Sequence, residues 1–144
     1  MSSRKKSLQA AIVREVRRMV ANSVLFNARM AEALKVNPTD LQFINLLEIQ
    51  GPLTPGKLAE LTGLTTGGVT VVLDRLEKAG VIRRAPNPSD RRSSIVHVSP
   101  KFLQTARAAY REMGRATDRL LAEFSEAELK VVLGFLKKAN DIRV

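Results

Sequence analysis

The 144-residue chain has no cysteine, one histidine and no apolar stretch longer than a few residues. Lack of cysteine removes disulfides, thiolate metal sites, cysteine nucleophiles and thiol-based redox sensing together. The single His97 is one ligand at most, and a lone histidine on a partly buried strand reads as structural. No glycine-rich phosphate loop follows a strand and no paired acidic motif occurs, so no catalytic residue, metal or cofactor is expected, and no enzyme. The apolar stretches fall far short of the roughly 20 residues that cross a bilayer. The opening MSSRKKS leads into a polar amphipathic pattern rather than a signal-peptide core. A cytoplasmic chain without a membrane partner is the expectation.

What is present suits a folded domain. Hydrophobic residues make up 44% and charged residues 26%, and the length fits one compact domain with a real core. Lys and Arg number 24 against 14 Asp and Glu, a net charge of +10. Such an excess points to nucleic acid or an anionic surface. Residues 1–37 hold 8 basic and 2 acidic side chains, 38–100 hold 7 and 6, and 101–144 hold 9 and 6. Within the near-neutral middle segment, Arg83, Arg84, Arg91 and Arg92 cluster with Asp90 as the one acid. Arg4, Lys5 and Lys6 read as a solvated, disordered end.

Periodicity and caps predict six helices and a hairpin. Leu8, Ile12, Val16, Met19, Met30 and Leu34 recur at near-helical steps in a first helix from Leu8 to Leu34. Thr39 with Gln42 forms a capping box for a second helix running to Gly51, with Phe43, Leu46 and Leu47 as its buried stripe. Thr54 and Pro55 open a short third helix that ends at Gly63. Thr65 caps a fourth, in which Val69, Val72, Leu73 and Leu76 face the core and Gly80 is the stop. Val81 to Ala85 and Ile95 to Ser99 read as strands around the polar tip PNPSDRRS, with Pro86 and Pro88 outside both. Ser99 and Pro100 open a fifth helix, and Ser125 with Glu128 boxes a sixth, packed through Leu129, Val132, Leu133 and Leu136.

The fold class is therefore mainly α with a small β-hairpin wing: a winged helix-turn-helix flanked by long terminal helices. Residues 1–37 form the N-terminal tail and first dimerisation helix, 38–99 the winged core, and 100–144 the C-terminal dimerisation helices. All belong to one compact domain. The terminal helices carry more apolar surface than a small monomer covers, which implies a homodimer.

The apolar face of the fourth helix leaves Thr66, Gly67, Gly68, Thr70, Val71, Asp74, Arg75 and Lys78 outward. Double-stranded DNA suits that face. Thr66 and Thr70 can bond base edges or phosphates, Val71 can meet a thymine methyl, and Arg75 can grip a phosphate or a guanine. Thr65 joins this candidate set as the cap of the same helix. Gly67 and Gly68 each cost a helix about 1 kcal/mol against alanine, implying close backbone approach to DNA or a loose first turn. At the wing tip, Arg91 and Arg92 suit a narrow minor groove, with Asp90 expected to orient a guanidinium. Arg107, Arg111, Arg115 and Arg119 on the fifth helix read as a solvated face.

Residues 53–99, LTPGKLAELTGLTTGGVTVVLDRLEKAGVIRRAPNPSDRRSSIVHVS, resemble the winged core of the MarR family of bacterial transcriptional regulators. DRLEKAG closing the fourth helix and the D-x-R spacing of Asp90 and Arg92 carry the likeness. The helix order extends it over nearly the whole chain. It implies a homodimer on pseudo-palindromic operators, usually a repressor, relieved by a small phenolic or other organic ligand. By position, it assigns groove or phosphate contacts to Thr66, Thr70 and Arg75, and a minor-groove contact to Arg92 with Asp90 as brace. Gly67 and Gly68 stand where bulkier residues are common, and Ser99 where threonine is. The family's ligand pocket would place Phe26, Met30, Phe43 and Leu47 as apolar walls, although all four also suit ordinary core. The competing function is a winged-helix module binding an acidic partner protein. That use favours exposed aromatic anchors, and the fourth helix offers Thr, Gly and Arg.

Overall fold

A computed structural model describes residues 2–142. Its order is six helices with a two-stranded antiparallel hairpin between the fourth and fifth. Contacts divide the chain into two compact units, Met1–Ala109 and Tyr110–Val144.

Helix α1 spans Ser3–Ala33, 31 residues and about 46 Å at 1.5 Å per residue. It begins earlier than its apolar pattern and takes in Arg4, Lys5 and Lys6, correcting the expected disordered end. Long unbranched side chains of this kind are good helix formers. Its end is a Schellman turn, in which Val36 N–H donates to Ala31 C=O at 3.0 Å and Lys35 N–H to Glu32 C=O at 3.1 Å. Lys35 occupies the left-handed position, φ 57°.

Helix α2 (Pro38–Gln50) starts differently from the expected Thr39–Gln42 box. Asn37 is its cap, with Oδ1 accepting from Asp40 N–H at 2.8 Å. Pro38 dictates this, because its fixed φ suits the first helical position and it has no N–H to satisfy. Helices α3 (Pro55–Thr62) and α4 (Thr66–Lys78) open on the expected threonines, Thr54 and Thr65, whose hydroxyls accept from Lys57 N–H at 3.2 Å and Gly68 N–H at 3.1 Å. A second Schellman turn closes α4, here with Gly80 at φ 73° and Val81 N–H donating to Leu76 C=O.

Strands β1 (Ile82–Pro86) and β2 (Ser94–Val98) pair with Ile82 opposite Val98 and Pro86 opposite Ser94. Pro86 thus ends a strand rather than lying beyond it, a position that needs no N–H in the ladder. Leu53 adds a rung that sequence reading missed. Its carbonyl accepts from Val96 N–H at 2.8 Å. Gly51, at φ 84° and ψ −173°, provides the reversal that brings Leu53 there, in a region open essentially to glycine alone.

The core lies where these elements meet. Leu41, Phe43 and Ile44 of α2, Leu58 of α3, Val69, Leu73 and Leu76 of α4 and Val96 of β2 are fully buried. Each such side chain contributes about 1.5–3 kcal/mol by leaving water. Leu41 and Ile44, absent from the expected α2 stripe, are buried beside Phe43 and Leu47, while Leu46 lines a surface groove.

Helix α5 (Pro100–Leu121) is opened by Ser99, whose Oγ accepts from Phe102 N–H at 3.3 Å. In the second unit, α6 (Glu126–Asn140) begins with the full Ser125–Glu128 capping box. The N–H bond from Ser125 holds the Glu128 carboxyl below its ordinary pKa. The expected packing of α6 is only partly realised. Leu129 and Val132 are half-buried, whereas Leu133 and Leu136 are exposed.

Candidate nucleic-acid interface

The amphipathic division of α4 fixes what faces outward. Its four apolar anchors lie at i, i+3, i+4 and i+7, so the intervening Thr66, Gly67, Thr70, Val71, Asp74, Arg75 and Lys78 are exposed. Val71 is 60% exposed on this face.

Three threonines within six residues are in three different states. Thr65 Oγ1 accepts the Gly68 N–H, leaving its own proton available. Thr66 makes no side-chain hydrogen bond among the described residues. Thr70 Oγ1 donates to the Thr66 carbonyl at 2.9 Å. The glycine pair also separates. A Cβ on Gly68 would stand 3.3 Å from Thr65 Oγ1 and 3.7 Å from the Leu64 Cβ, a close contact that the cap accommodates only by giving a few tenths of an ångström. Gly67 is exposed, and a Cβ there would meet only Thr65 Oγ1 at 4.0 Å. The first turn is therefore well formed, and packing within the chain leaves room for a side chain at Gly67.

Arg75 is not a free guanidinium. Its Nε and Nη2 donate to the two oxygens of Asp40 at 2.8 and 2.5 Å. Asp40 is buried at 3% exposure while the Arg75 side chain remains 47% exposed. Hydrogen bonding to Asp40 raises the Arg75 pKa above its ordinary value. Sequence reading gave Asp40 no role, yet it lies at i, i+3, i+4, i+7 with Phe43, Ile44 and Leu47. An acid on an apolar stripe is the signal of a buried ion pair.

The basic cluster behind the wing divides as well. Arg84 pairs with Asp74 and approaches Glu77 Oε2 at 3.4 Å, fastening β1 to α4. Its Nε lacks an aligned hydrogen bond. Arg84 is thus structural, while Arg83 is exposed on the same strand.

At the wing tip, Asn87 Oδ1 accepts from Ser89 N–H at 3.0 Å and Asp90 Oδ1 from Arg92 N–H at 2.9 Å, two successive side-chain-to-backbone turns. Asn87 Nδ2 also donates to Ser93 Oγ at 2.8 Å. Asp90 was expected to hold a guanidinium, and in the structure it holds the Arg92 backbone. The two-residue separation favours that local bond. Arg91 and Arg92 are exposed, and neither side chain forms an ion pair among the described residues.

His97 is half-buried on β2, and no cluster of three or more metal-ligating side chains occurs among the described residues. No described helix is long and apolar enough to cross a membrane. Of the four candidate pocket walls, Phe43 and Leu47 are buried core and Phe26 and Met30 are half-buried.

The arrangement has known counterparts. The sequence model of the MarR family matches residues 34–93. The HTH-type transcriptional regulator YcgE of Bacillus subtilis is 37% identical over 144 residues, spanning 99% of this chain and 94% of that protein. The multiple antibiotic resistance protein MarR of Salmonella typhimurium is 27% identical over 105 residues, 73% of each chain. Among solved structures, Streptococcus pneumoniae FabT in complex with DNA superposes with a TM-score of 0.69 at 20% identity, over 92% of this chain and 94% of that one, a likeness of fold. With relatives named as transcriptional regulators, and a winged helix-turn-helix between long helices, the chain belongs to the MarR family of DNA-binding transcriptional regulators.

Proposed function

We propose that the protein binds double-stranded DNA as a homodimer at pseudo-palindromic operators and represses transcription there, in the cytoplasm, until a small phenolic or other organic ligand releases it. One observation carries this reading: α4 offers an outward face of Thr66, Thr70 and Val71 beside a wing that projects Arg91 and Arg92, neither ion-paired among the described residues. A helix of this kind enters a major groove, and arginines at its flank suit the adjacent minor groove. Residues 38–99 then read DNA, with Thr65, Thr66, Gly67, Gly68, Thr70, Val71, Arg91 and Arg92 at the interface. Arg75 contributes through its exposed edge while Asp40 orients it.

Residues 1–37 and 100–144 carry the dimer in this reading. Supporting it are the uncovered apolar side chains of α1, among them Leu8, Ile12, Val20 and Val24, each at least half exposed, and Leu133 and Phe135 of α6. Ligand relief draws support from an apolar groove of about 330 Å³ edged by Thr39, Gln42 and Thr62, within the size range of small-molecule sites. An acidic protein partner is less suited, since the outward face of α4 and the wing tip carry no aromatic anchor.

Selection from a random duplex pool, followed by salt titration on the winner and a scrambled control, tests the reading. A palindromic winner preferred by about 10³-fold, with half-sites one helical turn apart, is expected. Equal affinity for both duplexes would reduce the +10 charge to non-specific attraction.

A further inference from the structure

We infer that Thr70 reads the operator as an acceptor only, taking a hydrogen bond from the exocyclic amino group of an adenine or a cytosine in the major groove. This rests on the proposal that α4 enters that groove. A threonine hydroxyl has one proton. In Thr70 that proton lies on the Thr66 carbonyl, 2.9 Å away, and a carbonyl oxygen can only accept. While that bond holds, anything that meets the exposed side of Thr70 Oγ1 supplies the proton itself.

DNA offers few groups able to do so. Phosphate oxygens, guanine N7 and O6 and thymine O4 are all acceptors, so the Thr70 hydroxyl gains nothing from them. Adenine N6 and cytosine N4 are the major-groove donors. Residue type alone does not separate Thr70 from its neighbours. Thr65 keeps its proton free to donate, and Thr66, without a side-chain bond among the described residues, is able to donate or accept. The backbone bond of Thr70 is what turns a permissive side chain into a selective one.

Two measurements on the full-length protein test this. Wild type, Thr70→Ser and Thr70→Val are each put through selection from a random duplex pool. Wild type and Thr70→Ser should both require adenine or cytosine at one symmetric position of each half-site. Thr70→Val, which keeps the shape and loses the acceptor, should lose that preference by about fivefold or more, with preferences elsewhere unchanged. The second measurement uses wild-type protein on the selected duplex with that base replaced by its analogue lacking the amino group, purine for adenine or 2-pyrimidinone for cytosine. Affinity should fall for wild type and stay level for Thr70→Val.

A Thr70→Val variant that weakens every sequence alike would make Thr70 a phosphate contact and overturn the assignment. So would a preference for guanine or thymine that vanishes in Thr70→Val, or indifference of the wild type to loss of the amino group. If wild type enriches no sequence at all, the DNA-reading proposal itself fails and this inference with it. That outcome is distinct, because the others all presuppose an enriched site.

Discussion

Arg75 on α4 grips Asp40 on α2 through two parallel hydrogen bonds, 2.8 and 2.5 Å, so the helix that faces outward is tied to the helix behind it by a half-buried ion pair. The two partners are unequally buried, and the cost of removing each should differ accordingly. Arg75→Ala strands the Asp40 carboxylate in the interior and is expected to destabilise by about 3 kcal/mol. Asp40→Ala leaves a guanidinium that can turn toward water and should cost about 1 kcal/mol. Urea unfolding of both variants measures the asymmetry. Equal losses would mean that the acid is hydrated in solution.

Gly67 and Gly68 should respond unequally to alanine. At Gly67 the added methyl meets open space, and the variant should gain about 0.5–1 kcal/mol of stability from helix propensity alone. At Gly68 the methyl presses on Thr65 Oγ1, so the gain is cancelled as the cap loosens. Thermal unfolding separates the two, and DNA affinity of Gly67→Ala then reports whether that bare backbone is needed at the duplex.

The wing makes a sharper distinction between two roles for Asp90. Because its oxygen holds the Arg92 N–H, Asp90→Asn should keep the wing and bind the selected duplex at least as tightly as wild type, with one less negative charge near phosphate. Asp90→Ala should bind more weakly. Arg92→Ala is expected to cost about 1–3 kcal/mol of specific affinity, with the fold intact by circular dichroism and the oligomeric state unchanged by sedimentation. A loss in Asp90→Asn matching that of Asp90→Ala would restore the guanidinium contact.

Lys35 adopts a conformation that Gly80 adopts in the equivalent turn at the end of α4. The left-handed region costs a residue with a side chain roughly 1–2 kcal/mol, partly offset by the greater unfolded freedom of glycine. Lys35→Gly should therefore raise stability by about 0.5 kcal/mol, visible as a small rise in Tm. A fall would show the lysine side chain to be engaged.

Acid should loosen the start of α6. The Glu128 carboxyl has a lowered pKa in the folded state because it accepts the Ser125 N–H. Its contribution is thus present above the ordinary glutamate pKa and lost as pH falls through the lower folded value. Glu128→Gln should flatten that part of the stability profile in the acid range below the ordinary glutamate pKa. An unchanged acid limb would show that other carboxylates set it.

Local sequence determined the elements, because their signals act within a few residues. Thr54, Thr65 and Ser125 cap as their neighbours dictate, Gly63 and Gly80 stop helices, and the i, i+3, i+4, i+7 pattern of Val69 to Leu76 decides which side of α4 is buried and hence which residues face outward. A one-dimensional pattern does not specify partners distant in the chain. That Asp40 meets Arg75 across 35 positions, that Leu53 joins β2, and that Arg84 turns back to Asp74 depend on how the elements pack. Packing also divided one chemical type into several roles. Three identical threonines became a donor, an unbonded hydroxyl and an acceptor, and four clustered arginines became one structural fastener and three exposed cations. A side chain's chemistry is set by which of its bonds the fold has already used, and only the folded chain brings those bonding partners together.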